Sequence, residues 1–371
     1  MVQNLKDTLR NVRGRWVKTS CLFLWLSAVG WLLFTFTRTI KLQEFQNLPN
    51  TVEYTIELKK YQSIAHFPRG VLSLPGPREL LHLKDFKFYN SKLNVCKSKN
   101  SLVLALVHTA PNHFVHRKII RSTWGSVHHF RNLTFNVAFL LGQTNRRLQS
   151  RINQEMKQHC DIIQGSFVDS YRNLSYKHMM GYKWAMEFCP NAIMIFKVDD
   201  DVYVDSFQIL NFLYSTFGLK PFNILACSVI SSGTLTHRSG KWGVSRSEFS
   251  FDMYPEYCSG MGYFVSLDIV KDILAASRYA PFFWIDDIFV TGLVAEVLNL
   301  NRLPINAHTS DRPEEMTKWL RQGKGPSPYM LGLISPHNGM EILAALWNKT
   351  TIRANNYTGN LYIKNNPKYL C

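Results

Sequence analysis

Asp199, Asp200 and Asp201 stand together at the end of an apolar run, Ile193 to Phe196, reached through Lys197 and Val198. A run of this kind bounded by turn signals suits a buried strand of an α/β sheet. Open α/β sheets bind their ligands just outside such strand ends. Three adjacent carboxylates repel one another unless a cation sits among them. The simplest cation is a divalent metal with oxygen ligands, shared with the phosphates of a substrate; a solvated acidic turn is the plainer alternative. A second acidic pair, Asp286 and Asp287, lies between the bulky Trp284, Ile285 and Ile288 at a predicted helix start. Capping accounts for at least one of them, whereas a carboxylate against apolar walls suits a general base. Arg117 and Arg121 are four apart and share one face of a predicted helix, a spacing suited to phosphate. A solvated basic face is the competing reading. His337 closes the run Leu331-Gly-Leu-Ile-Ser-Pro-His ahead of an amphipathic segment over 339–348; a lone histidine there is ordinarily structural. Gly260 and Gly262 precede a short strand, where backbone can approach a ligand closely, although a G-x-G is more often a turn.

The elements that must position these residues follow from periodicity. Ser101 to Val107 is continuously apolar and reads as a central strand. The Arg117–Trp124 segment reads as a helix whose Ile120 and Trp124 pack. Thr134 to Leu141 reads as a second strand, 146–159 as a polar helix, and Asp161 to Ile163 as a short third strand. Asn173 can cap a helix running to Phe188, in which Met180, Trp184 and Phe188 repeat at i+4 and belong to the core. Asp205 and Ser206 can cap a helix over 206–217, and Asn223 to Val229 is another strand. Strand and helix alternating over more than a hundred residues imply a mostly parallel sheet covered on both faces.

At 371 residues and 46% hydrophobic content the chain has ample surface to bury. Its formal charge of +17 suggests an anionic partner, but the basic residues are scattered, which speaks against nucleic acid. Residues 19–37 carry no charge and are long enough to span a bilayer. Lys6, Arg10, Arg13, Arg15 and Lys18 precede them and Arg38 closes them. That bias places the first 18 residues in the cytoplasm and everything beyond the span in a lumen or outside; a cleaved signal peptide is the alternative. Residues 38–95 read as a stem and 96–371 as the folded domain. Six cysteines follow the span, Cys96, Cys160, Cys189, Cys227, Cys258 and Cys371. They fit disulfides in an oxidising compartment, with the pairing left open. No CxxC or Cys/His pair at zinc spacing is present, so structural zinc is not expected. Asn132, Asn173, Asn348 and Asn356 open glycosylation sequons.

In chain order, R-x-x-x-R-S-T-W, D-I-I-Q-x-x-F-x-D-x-Y-x-N-L-S-x-K, D-D-D-V-Y-V, Y-P-x-Y-C-S-G-x-G-Y and D-D-I-F-V-T-G resemble the β-1,3-glycosyltransferases of glycosyltransferase family 31. These are galactosyl- and N-acetylglucosaminyltransferases, and the likeness covers roughly residues 98 to 350. The resemblance implies a GT-A-like α/β domain on a type II membrane anchor in the Golgi, facing the lumen. It implies a UDP-sugar donor, UDP-Gal or UDP-GlcNAc, with Mn2+ or Mg2+, and a glycan acceptor on glycoprotein or glycolipid. Asp199 and Asp201 match its metal motif, with Asp201 foremost, and His337 matches a further ligand. Thr109, Arg117, Arg121, Asp169, Lys177 and Asp200 match donor-lining positions. Asp287 matches the expected catalytic base. Trp242, Tyr254, Gly260, Gly262 and Asp286 fall on the acceptor or donor-sugar side, and Asp286 stands where the family usually has Glu.

Implied in turn is a single in-line displacement in which Asp287 takes the proton of an acceptor 3-hydroxyl, giving a β-1,3 linkage with inversion. The C-S-G-x-G-Y stretch leans toward the galactosyl members and the undivided D-D-D toward the N-acetylglucosaminyl ones; galactose is favoured. The rival from another class is an inactive membrane-anchored glycan-binding relative, which would be expected to lose the metal carboxylates or the base. Both are present.

Overall fold

The computed structural model describes residues 87–89, 93–98, 100–277, 280, 282–354 and 361–363. The expected tail and span over 1–37, and most of the expected stem, lie outside the described residues. Among the described residues no helix is long and apolar enough to cross a membrane.

β1 (Ser101–His108) is apolar throughout because it is covered on both faces, and Leu102 to Val107 are essentially inaccessible. α1 (Phe114–Ser122), β2 (Val127–Phe130) and β3 (Leu133–Gln143) follow. α2 (Arg146–His159) starts on Asn145, whose side chain accepts from the Leu148 N–H. β4 (Ile162–Val168) and α3 (Leu174–Phe188) lead into β5 (Ala192–Asp199) and β6 (Val202–Val204). α4 (Ser206–Phe217) is capped by Asp205, as its sequence predicts. Asn173 stands at the start of α3 but does not cap it; its amide donates to the Val168 carbonyl at 2.8 Å instead.

The second half supplies β7 (Leu225–Ile230), β8 (Tyr257–Ser266), α5 (Leu267–Ala276) and a π-helical stretch, Ile288–Val294, that begins on Asp287. β9 (Leu303–Pro304), β10 (Thr309–Ser310), α6 (Pro313–Gln322), β11 (Leu331–Leu333), α7 (Gly339–Ala354) and β12 (Leu361–Ile363) complete the described chain.

The main sheet runs β12-β2-β3-β1-β5-β8-β7-β9, with β4 also on β3. β4, β3, β1 and β5 are parallel, as the alternation predicts. β8 then enters antiparallel to both β5 and β7, so the sheet as a whole is mixed. That reversal matters for position: Gly262 pairs with Val198, which lays the first half of β8 beside the C-terminal end of β5. A small sheet β10-β11-β6 sits beyond it, with Leu333 opposite Val202 in an antiparallel pair. The chain leaving β11 toward His337 therefore emerges beside the acidic triplet.

Cys96 is bonded to Cys189 and Cys227 to Cys258, the latter stapling β7 to β8. Cys160 is disulfide-bonded as well. The fold reaches back to Phe88, which pairs with Gly165 of β4.

Candidate active site

The C-terminal end of β5 delivers its three carboxylates in three directions. Asp199 accepts from the Lys197 ammonium at 2.8 Å. Asp200 is buried and turned toward α1, accepting from the Thr109 hydroxyl at 2.5 Å and bonding His113 Nδ1 at 2.8 Å. Asp201 is exposed. Although both carboxylates reach solvent, partial desolvation by the side chains crowded around them, helped by Asp201 at Asp199 and by Asp200 at Asp201, pushes both above the ordinary carboxylate value. Lys197 opposes this at Asp199, and Lys241 opposes it at Asp201.

Lys197 carries no functional signal in the sequence, where it is one cation in an apolar strand. In the fold it is 1% exposed, and its ammonium also donates to the Gly260 carbonyl at 2.6 Å and lies 3.6 Å from Asp286. Burial alone would lower its pKa, but Asp199 and Asp286 raise it, so it stays charged. A single ammonium thus joins the triplet to the second acidic pair.

That pair splits by environment. Asp286 bonds His178 Nδ1 at 2.8 Å, and His108 Nδ1 lies 3.5 Å away. Burial would push it up, yet Lys197 and His178 hold it well below the usual carboxylate range. His178 is saturated, because its Nε2 meets the Tyr263 hydroxyl at 2.7 Å. Among the described residues Asp287 has no ion-pair partner, and only the more distant Lys197 opposes its rise. Its Oδ1 accepts from the Ile288 N–H at 2.8 Å, while burial and the charge of Asp286 push it up to about 6. Two adjacent acids with opposed protonation tendencies are the mark of an acid–base assignment. Gly260 makes room for Asp287: a Cβ there would lie 2.8 Å from Asp287 Oδ2. The Thr291 hydroxyl donates to the Asp287 carbonyl at 2.6 Å and accepts from the Cys258 N–H at 2.9 Å, tying Asp287 to β8.

Thr109, Asp169 and Lys177 come together as the sequence proposes: the buried Lys177 donates to the Thr109 carbonyl at 2.7 Å and to Asp169 at 3.0 Å. Asp169 also accepts from the Gly142 N–H at 2.6 Å. Arg117 and Arg121 do not present an open basic face. Arg117 is fully buried, forks onto Glu155 with a closest approach of 2.6 Å, and donates to the Ala110 and Pro111 carbonyls. Arg121 pairs with Glu155 at 2.7 Å and with both oxygens of Asp161. Periodicity gave the shared face but not what it meets, which is α2 and the start of β4. Arg117 therefore shapes the Thr109–Pro111 turn from beneath.

His337 is exposed, with its backbone N–H on the Ser335 hydroxyl at 3.3 Å. Among the described residues, the clusters of ligand-type side chains close enough to share an ion are His108/His178/Asp286 and His113/His116/Asp200. Neither includes Asp199, Asp201 or His337. Tyr254 is buried, whereas Trp242 is 50% exposed. Trp242 sits in a loop tied down by Arg238, which donates to the Val244, Phe249 and Phe251 carbonyls. Lys241 stands 5.5 Å from the Trp242 ring and 5.2 Å from that of Tyr171. Tyr171 packs on Trp284 at 5.6 Å. Burial first, with Asp199, Asp286 and Asp287 adding to it, pushes the Tyr171 hydroxyl up to about 12. These aromatics form a wall facing the acids, and Tyr171 and Lys241 were not singled out by sequence. Of the sequons, Asn132 and Asn348 are exposed, Asn173 is half-buried with its amide engaged, and Asn356 lies outside the described residues.

An α/β sheet with carboxylates at a strand end, facing a split acidic pair under an aromatic wall, defines a group-transfer enzyme of the glycosyltransferase class. The chain belongs to the galactosyltransferase family, within the β-1,3-glycosyltransferases: the family model described as "Galactosyltransferase" matches residues 115–306, just over half its length. Beta-1,3-galactosyltransferase 5 of Pan paniscus is 30% identical over 236 residues, covering 63% of this chain and 78% of the relative. Beta-1,3-galactosyltransferase 1 of Mus musculus is 30% identical over 217 residues, covering 58% and 66%. Among solved structures, a glycosyltransferase involved in the glycosylation of the major capsid of PBCV-1 aligns over 66% of this chain and 98% of its own. The TM-score there is 0.35 at 12% identity, too slight a likeness to carry an argument.

Proposed function

We propose that this glycosyltransferase moves a hexose, galactose by preference, from a UDP-sugar to the 3-hydroxyl of an acceptor glycan with inversion, forming a β-1,3 linkage. The observation that carries the reading is Asp287. It is raised to about 6 beside an Asp286 held ionised, and its carboxylate is seated in the space left by Gly260. A carboxylate so placed accepts a proton from an attacking hydroxyl near neutral pH. Asp286 and Lys197 keep their own charges fixed while it does so, and burial keeps His178 neutral between Asp286 and Tyr263. Tyr171 and Trp242, the former backed by the buried Trp284, offer flat apolar surface against which a sugar ring is oriented and water excluded.

The donor set fits a divalent cation. Partial desolvation raises both Asp199 and Asp201, with Asp201 adding to it at Asp199 and Asp200 adding to it at Asp201, and carboxylate oxygens suit Mg2+ or Mn2+. His337 would join them from the turn after β11. When bound, such an ion supplies charge neutralisation for the departing diphosphate. Thr109, Asp169, Lys177 and Asp200 form the wall on the nucleotide side. The preference for galactose rests on the galactosyltransferase names of the relatives and on the C-S-G-x-G-Y stretch; UDP-GlcNAc is the second reading. The disulfides favour an oxidising compartment, which agrees with luminal exposure in the Golgi behind an N-terminal anchor.

The decisive experiment assays the full chain with Mn2+ against a panel of UDP-sugars. Transfer or hydrolysis with UDP-Gal is expected. Asp287→Asn should abolish turnover while UDP still binds, and retained turnover would remove Asp287 as the base. Binding of glycans without turnover by the parent chain would favour the inactive relative.

A further inference from the structure

We propose that His113, His116 and Asp200 form a second ion site, selective for a borderline transition metal such as Zn2+, apart from any hard cation held by Asp199 and Asp201. His113 stands at the start of α1 and His116 one turn further on, so the helix sets them on one face. Their rings stack at 4.2 Å. One ligand atom from each of His113, His116 and Asp200 lies within 4.8 Å of the other two. His113 Nδ1 is already 2.8 Å from Asp200 Oδ2, with a proton between them that a metal would replace. The independent pointer is His116 Nδ1, which is shielded from solvent and has no hydrogen-bond partner among the described residues. A lone pair or N–H withdrawn from water without a partner is costly, and an ion on this side satisfies it. His113 is half-exposed, which leaves an entry path.

The chemistry selects the ion. Two imidazoles and one carboxylate suit Zn2+, Co2+, Ni2+ or Cu2+, whereas Mg2+ and Mn2+ prefer oxygen ligands. Three protein ligands leave a coordination position open. Occupation would draw Asp200 off the Thr109 hydroxyl, which it now meets at 2.5 Å. On the donor-wall reading given above, Zn2+ is then a competitive inhibitor against the UDP-sugar, but the binding itself does not depend on that reading. The H-x-x-H pair could not be recognised as a site in the sequence, because its third ligand lies on the far side of the sheet's first crossovers.

The test titrates the metal-free full-length chain with Co2+ in the absence of nucleotide and follows its visible d–d absorption. One equivalent is expected to bind. His116→Ala should weaken binding by about tenfold or more, the loss of a ligand exceeding that of an outer-shell partner. Asp201→Ala and His337→Ala should leave the band unchanged. His116→Cys should restore one-ion binding with a new thiolate-to-cobalt charge-transfer band, which arises only if residue 116 ligates. Undiminished Co2+ binding by His116→Ala, a band lost in Asp201→Ala or His337→Ala instead, or His116→Cys without charge transfer would each overturn the proposal.

Discussion

Asp287 illustrates how much of a residue's chemistry comes from its neighbours. Its pKa is raised from 3.8 to about 6, first by burial and then by Asp286, so kcat/KM should rise with pH through about 6. A pH–rate profile in saturating donor checks this; an acid limb near the ordinary 3.8 would contradict it. The sign for stability is opposite. A carboxyl whose native pKa is raised contributes stability below its unfolded value, and that contribution is lost as pH rises through about 6. Asp287→Asn should therefore gain in Tm relative to the parent as pH passes 6, and match it in acid. Gly260 tests the geometry. A Cβ there meets Asp287 Oδ2 at 2.8 Å, so Gly260→Ala should move the carboxylate and cost on the order of a hundredfold in kcat/KM. Circular dichroism should stay as in the parent, since the crowding falls on a side-chain tip. Lys197 shows why such detail was not legible in the chain. Its partners Gly260 and Asp286 are supplied by β8 and by the helix start after α5, which only folding brings to β5.

At the scale of elements, periodicity read the frame well. β1, β3, α2, α3, β5 and α4 appear within a few residues of their expected ends, because each has an apolar run or stripe closed by a cap or turn. The antiparallel entry of β8 was not readable, since an apolar run looks alike in either direction. The Arg117/Arg121 helix formed as predicted, but its basic face is not open, for a different reason: spacing defines a face, but its partner comes from another element. Glu155 of α2 lies against both guanidiniums, and Asp161 completes the set. Replacing one member of a buried ionic cluster leaves uncompensated charge, and costs about 3–5 kcal/mol. Glu155→Ala is accordingly expected to lose that much unfolding free energy in a denaturant titration. Arg117 carries a second consequence, because it holds the Ala110 and Pro111 carbonyls. Arg117→Met should raise KM for the donor through movement of the Thr109–Pro111 turn. A change below about 1 kcal/mol for Glu155→Ala would show instead that the cluster is solvated in solution.

For the whole molecule, the disulfides separate stability from activity. The Cys96–Cys189 bridge ties the chain just ahead of β1 to the end of α3, at the sheet edge where β1 and β5 begin, opposite their acidic ends. The Cys227–Cys258 bridge ties β7 to β8, two residues before Gly260, and the Cys258 N–H reaches Asp287 through the Thr291 hydroxyl. Closing loops with separations of 93 and 31 residues stabilises by roughly 3–5 kcal/mol each on a chain-entropy account. Removing either bridge by paired Cys→Ser substitution should lower Tm, the longer loop somewhat more. Only the Cys227/Cys258 pair should also lower kcat in the cold, where both variants are still folded, because only that bridge fixes the strand against which the base is set. Equal kcat losses in the two variants would mean that the bridges act through global stability alone. A chain expressed where thiols stay reduced should then recover kcat on oxidation in step with the Cys227–Cys258 bond rather than with the gain in Tm.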